Sequence, residues 1–303
     1  MSGATVKLSH LDKVLFPEQR ITKGDLIGHY RSVAGRMLPH LHDRPLAVVR
    51  YLEGVEKPSF FQQSAPAHTP SWIRQVTVPK EGGEITHLVC QDEQTLVYLA
   101  NQGAVTLHTW LSRTDRPERP DQVLFDLDPP QEFDEARHAA LALRGLLDEL
   151  GLPSFVKTTG GRGMHVSVPI VRRYDADELR DFARGVCAVL EAREPDRFTG
   201  EVRKNKREGR LYLDISRNAY AQLIVAPYTV RGTPDARVAT PLDWSELDDE
   251  TLSPERFTLR TMERRLAEAD PWRDLPAPVS SLSAARRRLG ELNQLTKDCG
   301  HKD

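Results

Sequence analysis

Phe125-Asp126-Leu127-Asp128 alternates two large apolar residues with two aspartates, immediately before Pro129-Pro130. In an extended chain, residues i and i+2 project to one face, so Asp126 and Asp128 stand side by side while Phe125 and Leu127 turn into a core. Neighbouring carboxylates repel unless a cation lies between them, and hard oxygen donors suit Mg²⁺ or Mn²⁺. The same residues also suit a strand end with two solvated acids before a proline turn. The apolar run Val123-Leu124-Phe125 favours carboxylates that surface at the edge of a core.

A second feature is Thr159-Gly160-Gly161-Arg162-Gly163-Met164-His165. Glycines at three of four positions let the backbone turn tightly and bring N–H groups close to an anion. Thr159, Arg162 and His165 add hydrogen bonds or charge suited to a triphosphate. The spacing is neither G-x-x-x-x-G-K-[ST] nor G-x-G-x-x-G, and a plain β-turn remains an alternative. Asp214, in Leu211-Tyr212-Leu213-Asp214-Ile215, would complete a cradle for two metals ~3.5–4 Å apart, as used in phosphoryl transfer. Around it, Arg203, Lys204, Lys206, Arg207, Arg210 and Arg217 outnumber Glu201, Glu208 and Asp214. That excess suits a solvated basic face or a nucleic-acid surface. Phe60-Phe61 is either core or a base-stacking platform, and Lys13 and Lys23 could hold a phosphate.

These residues need a scaffold, and the pattern describes one. Thr22 with Asp25 resembles a capping box ahead of apolar residues at helical spacing from Leu26 to Met37. Leu46–Tyr51, Leu88–Cys90 and Leu96–Leu99 are rich in strand formers. Gln122–Leu127 reads as a buried strand, and Phe133–Leu150 as an amphipathic helix ending at Gly151. Ser154–Thr158 and His165–Ile170 read as strands flanking the glycine loop. Asp175 with Glu178 caps a helix reaching about Arg193, and Leu211–Ile215 and Leu223–Ala226 read as further strands. Asp274–Leu282 reads as a linker, followed by a peripheral helix over Ala284–Leu295.

The 303 residues carry 42 Lys and Arg against 44 Asp and Glu, a net charge of -2, which excludes nucleic-acid binding driven by bulk positive charge but not a local basic groove. No stretch approaches the ~18 apolar residues of a membrane span, and the start has no signal-peptide pattern. Cys90, Cys187 and Cys299 form no C-x-x-C pair, so reduced thiols in a cytoplasmic protein are expected rather than a zinc site or a disulfide framework.

Taken together, the chain resembles the polymerase domain of bacterial ligase D, a member of the archaeo-eukaryotic primase superfamily used in non-homologous end joining. The likeness runs from about Leu8 to Trp272. It rests on LDKVLFP, ITKGDL, LPHLHDRPL, SFFQ, LHTWLSR, VLFDLDPP, TTGGRGMHV, LYLDISRN, VAPYTVR and TPLDW, which occur in that order. The resemblance implies that Asp126, Asp128 and Asp214 bind two Mn²⁺ or Mg²⁺ ions. It implies that Thr159, Gly160, Arg162 and His165, with His108 and Arg231, bind the nucleotide. Lys13 and Lys23 would take a DNA 5′-phosphate, and Phe60 and Phe61 would stack on bases near that end. Three positions depart from the family pattern. Thr159 and Arg162 stand where Ser and Lys are usual, and Thr233 stands where a second arginine is usual. Arginine offers a planar fork in place of a point charge, so the first two changes imply tuning rather than loss.

The expected fold is α/β, with two β-sheets and flanking helices around a catalytic groove. Residues 1–275 would form the catalytic domain and 276–303 a linker and short helix. The expected activity is template-directed nucleotide addition at DNA gaps or broken ends, with ribonucleotides preferred over deoxyribonucleotides. A nucleoid-associated cytoplasmic protein would follow, without membrane contact. No K-x-D-G ligase motif is present, so a separate DNA ligase, and a Ku-like protein, are expected partners. De novo priming and a non-catalytic end-binding accessory role stay open. A D-x-D glycosyltransferase explains Asp126 and Asp128 but not the other blocks.

Overall fold

The computed structural model describes residues 6–275 and 281–299, with side chains described as far as residue 294. A small ribbon of β1 (Val14–Phe16) and β2 (Ile21–Thr22) leads into α1 (Lys23–Leu41). The Thr22–Asp25 capping box forms in both directions, so this helix starts where its local sequence dictates.

The first sheet contains β3 (Pro45–Arg50), β4 (Phe60–Gln62), β5 (Gln75–Lys80) and β6 (Gly83–Val89). After α2 (Glu93–Asn101), β7 (Ala104–Trp110) enters the same sheet. With the later β13 (Leu223–Val225), the strand order is β13-β7-β3-β6-β5, and β4 pairs with β3. Leu96–Leu99 therefore lies in a helix, not a strand. Asp92 caps it by accepting from the Thr95 N–H at 2.8 Å, and Leu96, Val97, Leu99 and Ala100 turn toward the core at helical spacing. A four-residue apolar run fits either period, and here the cap decides.

The second sheet is built from β8 (Gln122–Asp128), β9 (Phe155–Thr158), β10 (Met164–Pro169), β11 (Phe198–Thr199), β12 (Leu211–Asp214) and β14 (Pro241–Leu242). Its order is β11-β12-β8-β10-β9-β14, so β8 sits between the strand that follows the glycine loop and the strand that carries Asp214. Two helices, α3 (Phe133–Glu149) and α4 (Ala176–Arg193), cover one face. The Asp175–Glu178 capping box opens α4 as its sequence indicates.

Two cores result, one under each sheet. The first gathers β3, β6 and β7 with α1, α2 and the short α5 (Met262–Ala267). The second gathers β8, β10 and β12 with α3 and α4. The terminal helix α6 (Leu282–Cys299) is not peripheral: Leu282, Ala285 and Leu289 are buried in the second core against α4. Its apolar stripe of Leu282, Ala285 and Leu289 docks, and Arg286 beside that stripe donates to the Glu178 carbonyl of α4 at 2.9 Å. Residues 276–280 of the expected linker lie outside the described residues. Cys90 and Cys187 are free and buried, and the Cys299 side chain lies outside the described residues.

Candidate active site

Strand register builds the site. On adjacent strands β9, β10, β8 and β12, Lys157 lies opposite His165, His165 opposite Asp126, and Asp126 opposite Asp214. Residues paired across a sheet share a face, so these four form one row. Their chain neighbours Val156, Val166, Leu127 and Leu213 turn the other way into the core. Asp128, two residues beyond Asp126, shares that face and lies opposite Tyr212 at the open end of β8. The sheet thus brings together the three carboxylates expected from sequence.

Their electrostatics are those of a crowded acidic cluster. The Asp128 carboxyl is pushed up, first by burial and then by Asp126 and Asp214, against the pull of Arg162. Burial also penalises the Asp126 carboxylate, but His165, Arg217 and Lys157 outweigh it and hold its carboxyl below the ordinary value. His165 Nε2 stands 3.4 Å from Asp126 Oδ1, and Arg217 Nε stands 3.7 Å from Oδ2. Asp214 Oδ1 accepts from the Ser216 N–H at 2.7 Å. Three repelling carboxylates on one face suit a hard divalent cation. Among the described residues, however, no three such side chains converge as a finished metal cluster; Asp126 faces His165 and Arg217, and Asp214 accepts from Ser216.

The glycine loop closes on itself beside the row. Thr159 receives no help from a helix: its N–H and hydroxyl both donate to the Gly163 carbonyl, at 3.0 and 3.1 Å, and its Oγ1 accepts from the Gly161 N–H at 3.2 Å. Gly160 has φ +65°, and a Cβ there would stand 2.6 Å from Arg231 Cγ, so both its conformation and its packing demand glycine.

A cleft of about 490 Å³ opens between the two sheets. Asp126, Asp128, Thr159, Gly161, Arg162 and His165 line it from the second sheet and its loop. Phe61, His108 and Val225 face them from the first, and Arg217 and Arg231 complete the wall. His108 is pushed down to about 3 by burial and by Arg231, and His165 to about 4 by burial and by Lys157, so both imidazoles are neutral near pH 7. The Nδ1 atom of each is buried without a protein partner, which leaves a hydrogen-bonding position for a ligand.

Other expected residues lie away from this cleft. Phe60 does not line it: Phe60 and Phe61 are 56% and 50% exposed on β4, and successive strand residues point to opposite sides, so only Phe61 reaches the cleft, edge-on to His108 at 6.0 Å. Lys13 and Lys23 meet where α1 begins. Lys13 Nζ pairs with Glu53 at 3.0 Å, and the Lys23 N–H donates to the Lys13 carbonyl at 2.8 Å. Burial, and then Lys13, lowers the pKa of Lys23. Thr233 does not enter the cleft, and its Oγ1 accepts from the Arg237 N–H at 3.1 Å.

Two residues join the site that sequence reasoning left out of it. Arg217 was legible only as part of a basic stretch, although it follows Asp214 by three positions. Lys157 is wholly buried in the row, its Nζ 3.5 Å from the Thr158 carbonyl, and burial lowers it to about 7. Its alternation with Val156 was the available signal, since it places Lys157 on the carboxylate face.

Known proteins resemble this chain in sequence and in fold. The sequence matches the family described as LigD, primase-polymerase domain, over residues 22–272. It is 33% identical over 293 residues to the multifunctional non-homologous end joining protein LigD of Pseudomonas aeruginosa, covering 95% of this chain and 35% of that protein. It is 33% identical over 264 residues to the bifunctional non-homologous end joining protein LigD of Bacillus subtilis, covering 86% of this chain and 42% of that protein. The chain thus spans between about a third and two fifths of these relatives. Its structure resembles the polymerase domain of Mycobacterium tuberculosis ligase D in complex with DNA, with TM-score 0.85 and 30% identity, covering 91% of this chain and 99% of that one.

Proposed function

Because the chain belongs to the LigD primase-polymerase domain family, we propose that it is a template-directed nucleotidyltransferase that fills gaps or extends broken DNA ends in non-homologous end joining, with ribonucleotides preferred. The observation that carries this reading is a cleft that Asp126 and Asp128 line beside a glycine loop bearing Arg162, with Asp214 paired opposite Asp126 on the same sheet face and Arg231 in the cleft wall. Carboxylates suit metal ions, and the loop and arginines suit a triphosphate.

Asp126, Asp128 and Asp214 would hold Mn²⁺ or Mg²⁺, two ions in all, once Asp126 and Asp214 turn from His165, Arg217 and Ser216. Bound there, divalent cations would lower the pKa of a primer 3′-hydroxyl and offset the charge of a departing pyrophosphate. The chain's own groups do the rest. Arg162, Arg217 and Arg231 supply fixed positive charge for the phosphates. Thr159 and Gly160 shape the loop whose backbone offers hydrogen bonds to the nucleotide, while His165 and His108, neutral near pH 7, orient it without adding charge. Lys13 and Lys23 are two ammonium groups whose proximity an anion would relieve, which supports capture of a DNA 5′-phosphate. Phe60 and Phe61, exposed on one strand, supply stacking faces for bases. This reading places the protein in the cytoplasm beside the nucleoid, with a Ku-like protein and a separate DNA ligase as partners. Among the described residues no helix is long and apolar enough to cross a membrane.

The test is extension of a 5′-phosphorylated gapped duplex with Mn²⁺ and either ribonucleotides or deoxyribonucleotides. Asp126→Ala/Asp128→Ala should bind the DNA normally and lose extension by on the order of a thousandfold or more, the several kcal/mol that metal-assisted charge stabilisation supplies. Near-normal extension by that variant would defeat the assignment. Tight phosphate-dependent binding without extension by the native chain would favour an end-binding accessory role, and extension without any primer would favour a primase.

A further inference from the structure

Two guanidinium groups grip the glycine loop, and only one of them lines the cleft. Arg231 Nη1 donates to the Thr159 carbonyl at 3.2 Å, and Arg237 Nη1 donates to the Gly161 carbonyl at 3.3 Å. The two arginines are the ends of a single turn, in which the Arg231 N–H donates to the Arg237 carbonyl at 2.7 Å. Thr233 secures that turn by accepting from the Arg237 N–H. Arg237 lies outside the cleft wall, with Nε 2.7 Å from Asp235 and Nη1 2.9 Å from Glu255. Those carboxylates balance its charge, so its effect on a triphosphate is geometric rather than a long-range field.

A trans peptide points its C=O and the following N–H in opposite directions, and no peptide bond among the described residues is cis. Pinning the Gly161 carbonyl to Arg237 therefore turns the Arg162 N–H away from Arg237. Gly161 and Arg162 both line the cleft, and Arg237 does not. The Arg162 N–H has no acceptor among the described residues. Without the anchor, the peptide after Gly161 would rotate at little cost, because glycine resists backbone rotation least.

We infer that Arg237 is a positioning residue for the incoming triphosphate, fixing the Arg162 backbone N–H as a donor to its phosphates. The inference rests on the nucleotide-cleft reading above. It assigns to a residue outside the cleft a specific effect on nucleotide affinity.

The experiment compares the native chain with Arg237→Ala and Arg237→Lys. Each is titrated with a ribonucleoside triphosphate and Mg²⁺, and each is assayed on gapped DNA. Loss of one oriented donor should raise KM for the nucleotide about tenfold in Arg237→Ala, with kcat and the Kd for gapped DNA within about twofold. Arg237→Lys should fall between, since an ammonium reaches the carbonyl but lacks the fork that Asp235 and Glu255 hold. An unchanged KM in Arg237→Ala, or a loss shared equally by nucleotide and DNA binding, would overturn the inference. If Arg237→Ala shows no cooperative thermal transition, Arg237→Lys decides: a KM raised at least about threefold is expected, and no change overturns it. A native chain that bound no triphosphate would overturn the polymerase reading as well. A native chain that binds while Arg237→Ala binds equally would overturn this inference alone.

Discussion

Gly163 lies directly beneath the carboxylate strand: a Cβ on it would overlap the Leu127 carbonyl oxygen and stand 3.0 Å from Asp128 Oδ1. The glycine loop and the carboxylate strand are therefore one packed unit, and the loop cannot thicken without moving Asp128.

That contact makes Gly163→Ala a sensitive probe. The added methyl meets backbone that cannot swing aside, and overpacking of this kind costs about 1–3 kcal/mol. The variant should melt several degrees lower yet remain folded, while extension falls far more than stability does. Thermal melts beside extension assays check the pairing, and a drop in stability with full activity would contradict it.

Lys157 carries a pH signature. Its folded pKa, about 7, lies below the 10.5 of an exposed lysine, because burial disfavours the charged form. Between those values the unfolded chain binds more protons, so stability rises with pH across that window, and below about 7 the full penalty is present. Lys157→Met removes a buried charge beside Asp126 and should raise Tm at about pH 6.5 while flattening the rise toward about pH 9. Nucleotide addition should fall in the same variant, because Asp126 loses one of the cations that hold it ionised. Melting curves at both pH values and a single-turnover assay decide the matter.

Arg44 and Asp121 link the first strand of one sheet to the central strand of the other. Arg44, just before β3, is 4% exposed, and its Nη2 stands 2.7 Å from both oxygens of Asp121, just before β8. Burial opposes the Asp121 carboxylate, but Arg44 and Arg113 outweigh it and hold its pKa down. Its stabilisation is therefore present above the unfolded carboxyl value and is lost as pH falls through the folded one. Asp121→Asn strands a buried guanidinium and should cost about 3–5 kcal/mol. Urea unfolding at neutral pH measures that loss. The same titration repeated in acid should show the gap between variant and native chain narrowing.

Phe61 and Phe60 should separate by function. Phe61 faces His108 in the cleft and Phe60 does not. Phe61→Ala should raise the nucleotide KM by about tenfold or less, the scale of about 1 kcal/mol for one aromatic contact, whereas Phe60→Ala should chiefly weaken DNA binding. Equal effects of the two on both constants would show that the strand acts as a single surface.

Much of the site is written in short-range patterns. The alternation of Phe125, Asp126, Leu127 and Asp128 sorts itself onto two faces of any strand, and both capping boxes start their helices through contacts three residues apart. Asp214 and the glycine loop were likewise recognisable from residue type and neighbours. Other features depend on what folds against them. Leu96–Leu99 became helical through Asp92, and the charged tail found a core because α4 offers it an apolar face. Arg217 became part of the site only when β12 paired with β8, and His108 with Phe61 only when the first sheet came to face the second. Lys157 shows the division most clearly. Its alternation with Val156 selects a face, but only the folded chain around β9, itself paired between β10 and β14, leaves that side chain wholly buried. Local spacing sets which way a side chain points, and only long-range strand pairing sets what it meets there and how far it is from water.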